Sequence, residues 1–236
     1  MSYRANILRV TELDAGLRVN LARLYLNYYD GSSKRQFFED LIEKDEVILV
    51  WHKEKLVGFS TFLQYRRHWA NREVRIIFSG DTIVDAAHWG QQVLAFAWIA
   101  RMGDIWREEP NIPMYWFLIV KGHRTYRYLP TFGKSFHPHW SAPRQDLASL
   151  ADALAQERFA DEYNPVTGTV EFVNSHGHLK PDYAEATPEE LSKEAVRFFL
   201  TRNPGYRRGH ELVCLCEISP ENMKPLTRRI FEKGAA

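Results

Sequence analysis

Three strand-like runs follow one another with almost nothing between them: EVILVW (46–51), LVGFSTFLQY (56–65) and EVRIIFSGDTIV (73–84). Only the polar turn HKEK separates the first two, so they read as an antiparallel hairpin; parallel strands would need a far longer crossover. The third run carries Ser79-Gly80 in its middle, which marks a bulge or a close backbone approach. It then passes through a turn holding one glycine, Gly90, into an apolar helix over 89–102. Strand, glycine turn and helix in succession can present backbone N–H groups to a phosphate.

The flanking segments have equally local signatures. ILRV (7–10) is a short strand, followed by Asp14 as helix cap and by Leu17, Leu21, Leu24 and Tyr28 at helical spacing. Ser33 caps KRQFFEDLIEK, whose Phe37, Phe38, Leu41 and Ile42 share one face. MYWFLIV (114–120) is apolar at every position and reads as a buried strand. GHRTYRYLPTFGKSFHP starts as a helix and breaks near Pro130. Helices follow over 142–160 and 187–201, the latter with Thr187 as cap and Pro188 in its first turn. TVEFV and ELVCLCEI are the last strands, before a short final helix. No linker-like stretch intervenes, so residues 1–236 are expected to form one α/β (α+β) domain, with 1–136 as its core and 137–236 as final strands with helical insertions.

Composition removes several classes of function. Lys and Arg number 31 against 30 Asp and Glu, a balance that gives no reason to expect nucleic acid. No long apolar run marks a leader or a membrane span, and a cytoplasmic location is the expectation. Cys214 and Cys216 lie two apart in a strand, pointing the same way, which suits neither a mutual disulfide nor zinc. The His-x-His pairs 137/139 and 176/178 lack further ligands nearby, so no metal is expected. Walker, Gly-x-Ser-x-Gly and His-Glu-x-x-His motifs are absent.

The residues with chemical potential gather at two places. Asp81, at the bulge, is placed to act as a general base or, alternatively, to bond nearby N–H groups. Asp85 reads as a helix cap and His88 as a neighbour of any bound anion. His68 falls in YRRHWANRE, read as a loop covering an acceptor site. Beyond the apolar strand, GHRTYRY offers Tyr126 and Tyr128, while His123, Arg124 and Arg127 add positive charge suited to phosphate.

Strand, two helices, three antiparallel strands, helix, strand, helix: through residue 133 this order resembles the GNAT superfamily of N-acyltransferases. The resemblance reaches the C-terminus if TVEFV and ELVCLCEI are that fold's last strands, with helix 187–201 inserted between them. It implies a twisted, mostly antiparallel sheet flanked by helices, and a thioester cosubstrate: acyl-CoA or a phosphopantetheinyl carrier protein. Laid on the family's phosphate loop with Gly90 in place, the signature positions are Trp89, Gln92 and Leu94; started later, they are Gln92, Ala95 and Ala97. By resemblance, Trp89, Gly90, Gln91 and Gln92 face the pyrophosphate. Thr82, Ile83 and Val84 pair with the donor arm, and N–H groups near 80–82 polarise its carbonyl. Tyr126 or Tyr128 protonates the leaving thiolate. The acceptor would be an amine on a small molecule or peptide. Alternatives are another reaction of an acyl group, such as decarboxylation, or a non-catalytic ligand-binding module.

Overall fold

The computed structural model describes residues 3–234. In chain order its elements are β1 (Tyr3–Arg9), α1 (Ala15–Leu26), β2 (Tyr29–Asp30), α2 (Lys34–Leu41), β3 (Glu46–His52), β4 (Lys55–Trp69), β5 (Arg72–Val84), α3 (Val93–Glu108) and β6 (Met114–Val120). There follow α4 (His123–Tyr126), α5 (Tyr128–Phe132), α6 (Gln145–Phe159), β7 (Tyr163–Asn164), β8 (Thr169–Val170), β9 (His178–Leu179), α7 (Pro181–Ala184), α8 (Pro188–Leu191), α9 (Glu194–Arg202), β10 (Glu211–Glu217) and α10 (Pro225–Lys233). The α+β class with predominantly antiparallel pairing, read from the sequence, is what forms.

Contacts divide the chain into two compact units, one of Met1–Asn27, Ser33–Met114 and Ile218–Ala236, the other of Tyr28–Ser32 and Tyr115–Glu217. Residue 136, where the core of the expected single domain ends, lies inside the second unit. The reason is direct pairing of β6 with β10, which joins Phe117 to Leu215 and Leu118 to Cys214.

In the first unit β1, β3, β4 and β5 lie side by side, each antiparallel to the next. Val47, Ile48 and Leu49 are fully buried, so β3 is covered on both faces. Helix α3 packs on β1, β3 and β4, and α1 packs on β4 and β5. Asp14 and Ser33 cap α1 and α2 as expected, accepting from Leu17 N at 2.7 Å and Gln36 N at 3.2 Å. The segment YRRHWANRE is strand rather than loop. The β4–β5 ladder continues through Arg66↔Arg75 and His68↔Glu73 to a tight turn, where Ala70 and Asn71 both adopt positive φ. Such a turn matches strand twist and brings the partners straight back.

Helix α3 starts at Val93 rather than at residue 89. Asp85 caps a short 3-10 turn, accepting from Ala87 N at 3.1 Å, and Gly90 then takes φ +85°, so the helix begins one turn later. It also runs past residue 102 to Glu108. There the buried Arg75 guanidinium donates to the carbonyls of Ile105 (2.8 Å) and Glu109 (2.7 Å), satisfying acceptors the helix end leaves open.

The second unit holds β6, β10, β8 and β7 in that order, again antiparallel, with α6 packed on β10 and α4 on α9. Cys214 and Cys216 are buried free thiols. The break expected at Pro130 occurs at Arg127 instead. Pro130 falls in the first turn of α5, where an amide N–H has no helical acceptor to lose. The helix expected over 187–201 is two helices, α8 with the Thr187–Glu190 capping box and α9, meeting at Ser192–Lys193.

Candidate active site

The bulge forms where Ser79-Gly80 marked it. Ser60 pairs with Thr82 and Phe62 with Ser79, so Thr61 alone faces two residues, Gly80 and Asp81. One extra residue on β5 breaks the regular ladder and leaves backbone groups outside it. Glycine is required here by space: a Cβ on Gly80 would stand 2.3 Å from Thr61 Oγ1 and 2.6 Å from Lys44 Cε. Thr61 is buried, and its hydroxyl has no hydrogen-bond partner. One residue away, the Ser60 and Thr82 hydroxyls bond to each other at 2.8 Å. Asp81 is half-buried at the bulge, Ile83 is buried, and Thr82 and Val84 are half-buried on the same strand.

The turn beyond β5 is shaped by its own polar residues. Asp85, besides capping, pairs with Lys55 at 3.0 Å. His88 accepts from or donates to Tyr3 Oη through Nδ1 at 2.9 Å, a contact that ties the turn to β1. The Trp89 indole donates to the Val84 carbonyl at 2.9 Å, occupying one of the backbone groups expected to face a donor arm. Nothing lies within 4 Å of a Cβ built on Gly90. Gln92 sits at the N-cap of α3 without a side-chain hydrogen bond to the first turn, and Leu94 is buried in the core. Of the bulky residues at the phosphate-loop positions, Leu94 therefore points inward and Trp89 is bonded to the strand end. The N–H groups of a helix's first turn have no intrahelical acceptors, and the 16-residue α3 opens on this turn with the positive end of its dipole.

His68 is not brought to the bulge. It lies on β4 opposite Glu73, seven residues from Thr61, which is about 23 Å of extended strand. The side chains Ser60, Thr61 and Lys44 are the ones sequence reading missed. Only Lys44 left a trace, four residues after Asp40 at the end of an amphipathic helix.

The remaining candidates lie in the second unit. Tyr126 is fully buried, ringed by Phe136, Phe198 and Phe199, and its hydroxyl donates to the Pro138 carbonyl at 2.7 Å. Burial pushes its phenol far above the ordinary value. Tyr128 is half-buried and stacks on Phe132; burial raises its phenol too. His123 is buried, with Nε2 3.3 Å from Glu190 Oε1 and no hydrogen bond to either ring nitrogen, and burial holds its pKa below the usual histidine range. Arg124 donates to the Tyr183 carbonyl at 2.5 Å and to Glu190 at 3.1 Å. The charge read as phosphate-binding thus ties α4 to the α7–α8 segment. His139 Nδ1 accepts from Ser141 N and Ala142 N, a loop role. Among the described residues no group of three or more His, Cys, Asp or Glu is arranged to hold a metal, and no helix is long and apolar enough to cross a membrane.

No protein-family model matches this chain, and no curated protein matches it in sequence. Solved structures with a similar backbone path include a probable N-acyltransferase from Enterococcus faecalis V583 (10% identity, TM-score 0.42, covering 58% of this chain and 33% of that one). Another is an acyl-CoA N-acyltransferase from Pseudomonas aeruginosa (14%, 0.39, 49% and 79%), and a third is Escherichia coli ElaA (16%, 0.36, 59% and 95%). The chain thus spans about a third of the Enterococcus protein.

Proposed function

We propose that this protein is a GNAT-like N-acyltransferase, moving an acyl group from a thioester donor, acyl-CoA or an acyl-carrier protein, to an amine of a small-molecule or peptidic acceptor. The observation that carries this reading is the bulge at Gly80–Asp81, set on the strand that leads through Gly90 to the open N-terminus of α3. The donor, when bound, supplies an activated acyl carbon and a thiolate leaving group. Backbone N–H groups at residues 80–82 hold the negative charge that builds on the carbonyl oxygen during attack. Asp81 takes the proton that the acceptor amine loses as its nitrogen bonds to the acyl carbon. The first turn of α3 binds the donor's phosphates, and holding two reactants in register contributes as much as the proton transfer.

Thermal denaturation with acetyl-CoA, longer acyl-CoAs and an acylated carrier protein tests the donor. Stabilisation that grows with donor concentration is expected; if no donor raises the Tm, the reading fails. Asp81→Asn is expected to lower turnover about 10²- to 10⁴-fold while donor protection persists. Product analysis separates transfer from decarboxylation at the same site, because only transfer yields a free thiol and an amide.

A further inference from the structure

Lys44 is the least expected residue around the bulge. Its side chain is wholly shielded from solvent, whereas its carboxylate partner, Asp40, remains 46% exposed. The ammonium donates to the Asp40 carboxylate at 2.7 Å and to the Asp40 carbonyl at 2.9 Å, and it lies 5.8 Å above the Phe78 ring. Its Cε and Cδ come within 2.6 and 3.4 Å of where a Gly80 Cβ would be, so the stem lies against the bulge and carries the ammonium at its end to Asp40. Across from it the Thr61 hydroxyl is buried and unpartnered.

A methionine or leucine would fill the same volume without the desolvation cost of a buried charge, and such replacements are often neutral or stabilising. Packing alone therefore does not account for an ammonium here. A positive charge held in a region of low dielectric acts strongly on charge developing nearby. We infer that Lys44 is a positioning residue for the acyl-transfer site, its buried ammonium acting through the Gly80–Asp81 bulge to favour the negative charge that forms there, with Asp40 serving only to hold it. This inference rests on the acyltransferase reading above.

The test uses the full chain and compares Lys44→Met, which keeps the stem and removes the charge, with Asp40→Asn, which keeps the charge and removes its partner. Both are measured for kcat, donor KM and Tm, alongside the wild-type protein and Asp81→Asn. The expected result is a kcat roughly 10- to 100-fold lower for Lys44→Met with donor KM unchanged, at or below the loss of about 10²- to 10³-fold for removing a direct oxyanion donor because Lys44 acts at one remove. Asp40→Asn is expected to stay within about threefold of wild type. Equal losses in both variants, following their Tm values, would identify a structural staple and overturn the inference, as would a Lys44→Met kcat within twofold of wild type. A wild-type protein that transfers no acyl group from any donor defeats the acyltransferase reading and this inference with it, an outcome distinct from an active wild type with an equally active Lys44→Met.

Discussion

Gly80 shows how much one residue decides. Its neighbours occupy the space a Cβ needs, so Gly80→Ala must displace the buried Thr61 hydroxyl or the Lys44 stem. Overpacking of this kind typically costs about 1–3 kcal/mol, and urea denaturation of Gly80→Ala is expected to show a loss in that range together with weakened turnover. Tyr126 makes the opposite case. Buried and bonded to Pro138, it belongs to the aromatic core, so Tyr126→Phe is expected to lose about 1–2 kcal/mol for the missing hydrogen bond and the orphaned carbonyl. Acyl-transfer assays of Tyr126→Phe are expected to show turnover unchanged. Asp81, Gly80 and Gly90 were legible in sequence because a glycine or carboxylate interrupting a strand is a local signal. Lys44 and Thr61 were not, because a lysine ending a helix and a threonine in a strand are ordinary until the fold sets them together.

At the scale of elements, α3 is held in two ways. Arg75 closes its C-terminus, and α10 packs along it, with the Phe231 carbonyl only 2.0 Å from where a Gly103 Cβ would lie. Helix propensity by itself favours Gly103→Ala by about 1 kcal/mol. The backbone clash is larger, since neither helix can yield by a side-chain rotation alone. Net destabilisation of about 1–3 kcal/mol is therefore expected, measured by chemical denaturation; a stabilised variant would show that the two helices separate freely. Element types were largely visible in sequence, since caps and hydrophobic period are local. Boundaries shifted where tertiary contacts intervened: β4 and β5 extend because each supplies the other's hydrogen bonds, and α3 extends to meet Arg75.

For the whole molecule, acid is the revealing perturbation. His123 is buried and His137 half-buried in the second unit, and burial lowers both below the ordinary histidine pKa of about 6.5. The unfolded chain then binds more protons than the folded one as pH falls through and below that value. Stability accordingly rises toward neutral pH and is lost on acidification. Denaturation midpoints are expected to fall between pH 7.5 and 5.5, and the slope to flatten when His123→Gln and His137→Gln are combined. An equally steep profile in that variant would place the titrating groups elsewhere.

By itself the sequence determined the order of elements, their predominantly antiparallel pairing and the bulge, because each depends on residues within one or two turns of each other. It also placed the general-base candidate, since Asp81 adjoins the glycine that makes the bulge. Only the tertiary structure decided which polar groups share an environment: Lys44 against Gly80, Glu190 against His123, and Arg124 on the α7–α8 carbonyls. It also decided that β6 pairs with β10 within the second unit. These juxtapositions link distant parts of the chain, and they follow from how sheets and helices pack rather than from any local propensity.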